Sequence, residues 1–135
     1  MQRQLDERTL VCGQIAPGDI PGLAAEGVTM LINNRPDGEE AGQPLAADIE
    51  AAAEAAGIAY RFVPIVRGIG PSDVEEMQEA RQAASGGKLL AFCRSGTRSA
   101  LALALACRSD GESREEVEQK LTGAGFDPAP IAHLL

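Results

Sequence analysis

Short apolar segments alternate with longer segments of helical character along this chain. Four of the apolar segments have the length and composition of strands: residues 9–12, 28–33, 59–65 and 88–92. The segments between them end at glycine or carry capping signals, as helices that connect parallel strands commonly do. The pattern therefore predicts an α/β fold with a mainly parallel sheet flanked by helices.

The predicted helices cover residues 17–26, 46–56, 72–84, 98–108 and 113–123, with a last helical turn near residues 127–128. Two capping boxes, Ser72 with Glu75 and Ser113 with Glu116, are expected to open the third and fifth helices. The fourth helix is apolar from residue 100 to residue 107, which favours a helix buried against the sheet. Its alternating leucines also fit the period of a strand.

The ends of the four predicted strands deliver polar residues to one edge of the sheet. Ligands of open parallel sheets bind outside the carboxyl ends of the strands. The residues expected there are Gln14, Asn33, Asn34, Arg35, Asp37, Val66, Arg67, Gly68 and Cys93. Arg35 lies in the polar loop of residues 33–40, which can bring its charge over Cys93 or can be a solvated turn built on Pro-Asp-Gly.

The segment after the last predicted strand indicates a chemistry. Cys93 ends an apolar run, and Arg94, Ser95, Gly96, Thr97 and Arg98 form a short loop before a helix begins. Loop N–H groups, the helix N-terminus and two guanidinium groups together form a cradle for an anion. These surroundings stabilise a thiolate over a thiol, so Cys93 is the predicted nucleophile. Cys12 and Cys107 lie in apolar segments without activating neighbours and are expected to be buried and inert.

Composition limits the classes of function. Twelve Lys and Arg against twenty Asp and Glu give a net charge of −8, which disfavours nucleic acid and anionic membranes as partners. Three cysteines and a single histidine suggest neither a disulfide framework nor a zinc site. We expect no metal and no organic cofactor. The absence of a signal-peptide pattern and of a long apolar run predicts a cytoplasmic protein, with one domain over residues 1–135.

The spacing of the loop distinguishes two families of cysteine enzymes. Tyrosine-phosphatase-type enzymes have His-Cys, five further residues and then arginine, whereas four residues separate Cys93 from Arg98 and Phe92 replaces the histidine. The rhodanese-type pattern C-R-x-G-x-R matches residues 93–98 at every fixed position. A phosphatase also needs an acid for the leaving oxygen, and residues 64–70 contain none. Asp73 is expected to be engaged in the first turn of the next helix.

Four segments together resemble a known family. Residues 11–15 (VCGQI), 31–39 (LINNRPDGE), 64–66 (PIV) and 92–99 (FCRSGTRS) are similar to the DUF442 family, the beta-lactamase-hydrolase-like phosphatase-like domain. The resemblance implies a tyrosine-phosphatase-like fold with four to five strands that carries a rhodanese-length loop. Because some members are fused to persulfide-oxidising or sulfide-oxidising domains, it also favours sulfane sulfur chemistry. Cys12 departs from the small polar residue expected at its position.

The leading hypothesis is therefore a sulfurtransferase that moves sulfane sulfur through a Cys93 persulfide. The expected partners are a small anionic sulfur donor, a thiol acceptor and a sulfide- or persulfide-oxidising enzyme. One alternative is a cysteine phosphatase with a phosphocysteine intermediate, and another is a non-catalytic sulfur carrier or sensing module. Cys93 and Arg98 are the predicted catalytic residues. The predicted substrate-binding residues are Arg94, Ser95, Gly96, Thr97, Ser99, Arg35, Asn33 and Arg67.

Overall fold

The computed structural model describes residues 2–84 and 86–135. Its strands are β1 (Arg3–Asp6), β2 (Thr9–Cys12), β3 (Val28–Asn33), β4 (Ala59–Phe62) and β5 (Lys88–Phe92). Its α-helices are α1 (Ile20–Ala25), α2 (Ala46–Ala55), α3 (Pro71–Ala83), α4 (Thr97–Ser109) and α5 (Arg114–Gly123). Two short 3-10 helices cover Pro17–Asp19 and Ala129–Leu134. This mixed α/β architecture confirms the predicted fold class.

The five strands form one sheet in the order β1-β2-β5-β3-β4. All pairs are parallel except β1 with β2, which is antiparallel. Cys12 and Asn33 both pair with Phe92, and Asn33 also pairs with Phe62, so the four parallel strands end at one level. The loops that follow them therefore emerge side by side, as ligand-binding loops do in such sheets.

Each face of the sheet carries its own apolar core. Val11, Met30, Ile32, Leu89 and Ala91 belong to one cluster, which also contains the buried residues of α3, α4 and α5. The opposite cluster combines alternate strand residues, among them Leu31, Leu90 and Phe92, with residues of α1 and α2. The period-2 alternation of the strands thus places the sheet between two helical layers.

Helix α4 is buried along most of its length. Every residue from Ser99 to Cys107 is buried, because the helix packs between α3 and α5 and against β2 and β5. This confirms the prediction of a buried helix and explains why its sequence lacks a polar face. The alternating leucines follow from burial on all sides and not from strand periodicity.

Several boundaries differ from those predicted. Strand β1 was not predicted, because its four residues Arg3–Asp6 are largely polar and exposed at the sheet edge. The expected helix over 17–26 divides into a 3-10 turn and α1. Strand β4 is shorter than 59–65, although Val63 and Ile65 still donate N–H bonds to Asn33 and Asn34. Within residues 2–84 and 86–135, no helix is both long and apolar enough to cross a bilayer.

The two predicted capping boxes had different outcomes. The carboxylate of Asp73 accepts the Gly70 N–H at 2.9 Å, so the N-cap of α3 is Gly70, two residues before the expected Ser72 cap. Pro71 at the first helical position favours this earlier start. The Ser113 and Glu116 box is confirmed, with reciprocal hydrogen bonds of 3.1 and 3.4 Å.

Candidate active site

Cys93 lies directly after β5, at the bottom of the loop that leads into α4. The residue is 1% exposed, and its Sγ accepts a hydrogen bond from the Gly96 N–H at 3.1 Å. Helix α4 starts at Thr97, so its N-terminal peptide dipoles are oriented toward the loop. A backbone donor and a helix N-terminus beside sulfur stabilise a negative charge there. These contacts favour a nucleophilic role for Cys93, which remains a prediction.

Two glycines allow the loop to pack tightly against the end of β2. Gly96 has φ +95°, and a Cβ at this position would lie 3.3 Å from the carbonyl carbon and oxygen of Cys12. A Cβ on Gly13 would lie 2.9 Å from the Arg94 oxygen. The Gln14 N–H also donates to that oxygen, at 3.4 Å. The loop geometry thus depends on close backbone contact that a side chain would obstruct.

Replacing Gly96 by alanine should lower the free energy of unfolding by about 1–2 kcal/mol, because alanine is strained at positive φ. Urea denaturation measures this change. Gly22 is the matched control, since it lies in α1 with no atom within 4 Å of a built Cβ. Gly22→Ala should stabilise by about 0.4–1 kcal/mol. Equal effects at the two positions would contradict the conformational argument.

Arg98 lies in the first turn of α4, and its guanidinium makes three hydrogen bonds to two partners. Its Nη1 and Nη2 donate to Glu39 Oε2 and Oε1 at 2.6 and 2.8 Å. Nη1 also donates to the Ile65 carbonyl at 2.9 Å. The ion pair with Glu39 raises the pKa of Arg98, and the neighbouring Cys93 side chain adds to this shift. The guanidinium is thus fixed beside the sulfur.

Glu39 is ionised in this arrangement. Hydrogen bonds from Arg98 and Arg35 lower the pKa of Glu39 to about 2, against the opposing effect of its desolvation. An anionic Glu39 cannot supply a proton to a leaving group at neutral pH. Asp73 caps α3 through the Gly70 N–H, as expected from the sequence. Neither carboxylate is therefore available as a general acid in this conformation.

The titration of Glu39 can be measured directly. Carbon NMR of the glutamate carboxyl groups should show Glu39 titrating near pH 2, well below its ordinary value of 4.5. Because folding lowers this pKa, the pair stabilises the fold above pH 4.5, and that contribution is lost as pH falls toward 2. Glu39→Gln identifies the resonance. A midpoint near 4.5 would mean that the pair with Arg98 is not formed.

Arg35 lies in the loop after β3, which also carries Glu39, and it is almost completely buried, at 3% exposure. Its Nε donates to Glu39 at 2.9 Å and its Nη2 to Glu40 at 3.1 Å. Its Nη1 donates to the Gln14 side chain at 3.0 Å. Arg35 therefore reaches the site through Glu39, and direct contact with a substrate remains a prediction.

Asn33 and Asn34 connect the exits of three strands. The Asn33 side chain accepts the Arg35 N–H at 2.9 Å and donates to the Tyr60 hydroxyl at 3.1 Å. Asn34 donates to the Val63 carbonyl at 2.9 Å and accepts the Ser99 hydroxyl at 2.8 Å. Buried amides with satisfied hydrogen bonds order the loops around them. Both asparagines, together with Ser99, hold the scaffold around the Cys93 loop.

The remaining predicted site residues lie toward solvent. Arg94 is 68% exposed at its side chain and contacts Glu40 at 3.4 Å. Ser95 donates to the Thr97 hydroxyl at 3.3 Å, and both residues are exposed. Arg67 is exposed on the loop after β4. Contact of these side chains with a substrate remains a prediction.

Cys12 and Cys107 are also buried, as predicted. Burial raises the pKa of each of these two thiols to about 11. In the part of the chain that the structure describes, no group of His, Cys, Asp or Glu side chains is arranged to hold a metal ion.

Comparison with known proteins identifies the family. The model of the family described as beta-lactamase hydrolase-like protein, phosphatase-like domain, matches residues 2–111. The chain belongs to this family. A beta-lactamase hydrolase-like protein of Xylella fastidiosa strain Temecula1 is 39% identical over 125 residues, which cover 91% of this chain and 29% of that protein. One from Agrobacterium fabrum is 36% identical over 129 residues. The chain thus spans less than a third of these relatives.

Solved structures extend the family assignment to the fold. A candidate phosphatase of Neisseria meningitidis is 30% identical, with a TM-score of 0.77 and coverage of 98% of this chain and 94% of that one. A kinase-associated phosphatase with its catalytic cysteine replaced by serine has a TM-score of 0.72 over 92% of this chain and 82% of that one. Its identity of 18% supports the fold alone. The phosphatase-like family and the predicted tyrosine-phosphatase-like fold are therefore confirmed.

These findings change the ranking of the two enzyme hypotheses. The family description and its structural neighbours point to phosphatase-like proteins, which was the alternative hypothesis. They give no support to sulfur transfer, the hypothesis that the loop spacing favoured. The spacing describes only six residues, whereas the family match covers most of the chain.

Sequence reasoning placed Gln14 at this edge of the sheet but did not assign Glu39 or Glu40 to the site, although both pair with its arginines. The available signal was charge: two adjacent carboxylates follow Arg35 in a loop expected to overhang two further arginines. Buried or crowded cations need anionic partners, so a search for compensating charges would have found them.

Proposed function

We propose that this domain is a cysteine-dependent hydrolase that cleaves phosphate monoesters through a phosphocysteine at Cys93. The supporting observation is the buried Cys93 sulfur, hydrogen-bonded by the Gly96 N–H at 3.1 Å beside the fixed Arg98 guanidinium. Membership of a phosphatase-like family favours the same chemistry. The activity of the longer relatives is a separate question, since the chain matches only 29% of their length.

In the first step, the Cys93 thiolate attacks phosphorus, an S–P bond forms and the ester P–O bond breaks. The alkoxide or aryl oxide departs with the electron pair of that bond and takes a proton from water. Loop N–H groups and Arg98 stabilise the equatorial oxygens. In the second step, water attacks phosphorus, the S–P bond breaks, and inorganic phosphate and the thiolate are released. No group is oxidised or reduced in either step.

Neither Glu39 nor Asp73 is free to act as a general acid, which favours substrates with good leaving groups. Glu39 is bound to Arg98 and Asp73 caps α3, so neither protonates a departing alkoxide in this conformation. An aryl oxide needs less assistance because it is less basic. We therefore expect aryl phosphates to be hydrolysed faster than alkyl phosphates.

Sulfur transfer is the second candidate, and two observations favour it. Four residues separate Cys93 from Arg98, which forms a smaller cradle than the five-residue phosphatase loop. The thiolate can also displace a thiol or sulfite from a sulfane sulfur without the general acid that an alkyl phosphate requires. Cys93 would then hold one extra sulfur atom and pass it to an acceptor thiol. As part of this second proposal, the domain is cytoplasmic and docks to a sulfide- or persulfide-oxidising enzyme.

One experiment compares the two reactions under the same conditions. The wild-type protein and Cys93→Ser are given 4-nitrophenyl phosphate, thiosulfate or glutathione persulfide, and turnover and intact mass are measured. Hydrolysis of the phosphate ester by wild type alone supports the proposed function. A stable gain of one sulfur atom on wild type alone, with faster turnover of the sulfur donor, would reverse the ranking. Turnover that persists in Cys93→Ser would exclude both.

A further inference from the structure

Arg35 is a buried cation whose partners all lie around the candidate active site. At 3% exposure it is the one buried charged residue within residues 2–84 and 86–135, and its guanidinium bonds three side chains. Gln14 belongs to the exit of β2, whereas Glu39 and Glu40 belong to the loop after β3. A buried guanidinium with three polar partners has one preferred orientation, and it imposes that orientation on the partners.

Glu39 is the link between Arg35 and the reacting centre. One of its oxygens, Oε1, accepts from both Arg35 Nε at 2.9 Å and Arg98 Nη2 at 2.8 Å. The other oxygen, Oε2, accepts from Arg98 Nη1 at 2.6 Å. Arg98 therefore meets Glu39 end-on with both terminal nitrogens. Within the described residues, none of the hydrogen bonds uses Arg98 Nε, so that edge can face a substrate oxyanion.

The position of the Glu39 side chain depends on Arg35, because the adjacent Glu40 carries the same charge. Glu39 and Glu40 carry like charges on consecutive residues, and Arg35 binds both. Without that shared cation, the two carboxylates would repel each other, and Glu40 is already 54% exposed. Glu39 would then lose one of its two cationic partners, and Arg98 would lose the rigid support behind its guanidinium.

We propose that Arg35 is a positioning residue that acts on catalysis through Glu39, by fixing the orientation of Arg98 beside Cys93. This role rests on the proposed use of Cys93 as a nucleophile, but it holds for any anionic substrate of the site. It differs from the direct substrate contact expected from the sequence. A positioning residue lowers kcat, whereas a group that binds substrate equally in ground and transition states raises KM.

The kinetic test uses 4-nitrophenyl phosphate with wild type, Arg35→Ala, Arg35→Lys, Glu39→Gln and the double variant Arg35→Ala with Glu39→Gln. Arg35→Ala should lower kcat by roughly tenfold to a hundredfold, the usual effect of misplacing a catalytic group, and change KM by less than about threefold. Arg35→Lys should recover little of this loss, because an ammonium cannot bond three divergent partners. In the Glu39→Gln background, Arg35→Ala should cause little further loss.

Arg81→Ala is the matched structural control. Arg81 is 21% exposed at its side chain and, like Arg35, pairs with two carboxylates, but these are Asp110 and Glu112, which lie away from the Cys93 loop. It should lower the melting temperature without changing kcat. This comparison separates a loss of stability from a loss of positioning.

A second readout does not require turnover. Cys93 is alkylated with iodoacetate, an anion, and with neutral iodoacetamide, and the ratio of the two rates reports the orientation of Arg98. Arg35→Ala should lower this ratio by more in the wild-type background than in the Glu39→Gln background, since loss of the Arg35 charge alone would lower it equally in both, and Arg81→Ala should leave it unchanged. If 4-nitrophenyl phosphate is not hydrolysed, the proposed function fails while the alkylation ratio still tests Arg35.

Three outcomes would overturn the inference. The first is a KM increase of tenfold or more with kcat retained, which would mean direct substrate binding. The second is a loss of kcat, or of the alkylation ratio, that is as large in the Glu39→Gln background as in wild type. The third is an alkylation ratio that Arg35→Ala leaves at the wild-type value while the melting temperature falls.

Discussion

Cys93→Ser should lower kcat for 4-nitrophenyl phosphate by at least about four orders of magnitude, since removal of a nucleophile eliminates the covalent pathway. A serine hydroxyl is far less acidic than a thiol. The Gly96 N–H and Arg98 would then face a hydroxyl group instead of the sulfur atom. Initial rates at saturating substrate, with circular dichroism to verify the fold, measure this effect.

Cys107→Ser is the control for that substitution. Cys107 is also buried, but it lies near the end of α4, with Lys120 Nζ 3.9 Å from its sulfur. A buried serine in its place should lower the free energy of unfolding by about 1–3 kcal/mol without changing kcat. Comparable losses of kcat at both positions would indicate that Cys93 is structural.

The strands and helices could largely be predicted because their signals are local. Strand β5 and the helix after it were expected at residues 88–92 and 98–108, and they occur at Lys88–Phe92 and Thr97–Ser109. Strand β1 has no comparable signal, since its pairing with β2 is made at the exposed edge of the sheet. Its formation depends on the backbone hydrogen bonds that β2 offers, which no local pattern encodes.

The Cys93 loop could be predicted because its parts are contiguous in sequence. A thiol, a glycine that adopts positive φ and a helix start occur within five residues, and the fold leaves little choice for their arrangement. The partners of Arg98 could not be predicted in the same way. Glu39 lies 59 positions earlier, and its contact requires the loop after β3 to fold over the loop after β5.

The pairing of arginines with carboxylates also limits how strongly the site attracts anions. Arg35, Arg94 and Arg98 carry three positive charges, and Glu39 and Glu40 carry two negative ones in contact with them. The cluster therefore attracts anions less strongly than three unpaired arginines would. A substrate must be recognised by precise geometry at Cys93 and Arg98, since net charge alone is small.

Arg98→Lys should lower kcat/KM for 4-nitrophenyl phosphate by roughly a hundredfold to a thousandfold, the usual effect of losing one preorganised donor to a developing charge. The positive charge is retained, so the loss reports geometry. An ammonium cannot hold both oxygens of Glu39, the Ile65 carbonyl and a substrate oxyanion in the fixed directions that a guanidinium provides.

Arg108→Lys provides the comparison on the same helix. Arg108 donates to the carbonyls of Leu135 and Glu112 at the opposite end of α4, so its replacement disturbs similar contacts away from Cys93. We expect its kcat/KM to stay within about twofold of wild type, as for surface changes remote from a site. If Arg98→Lys retained wild-type kcat/KM, charge alone would be sufficient at this position. The hydrogen bonds of the Arg98 guanidinium to Glu39 and to the Ile65 carbonyl would then stabilise the fold without contributing to catalysis.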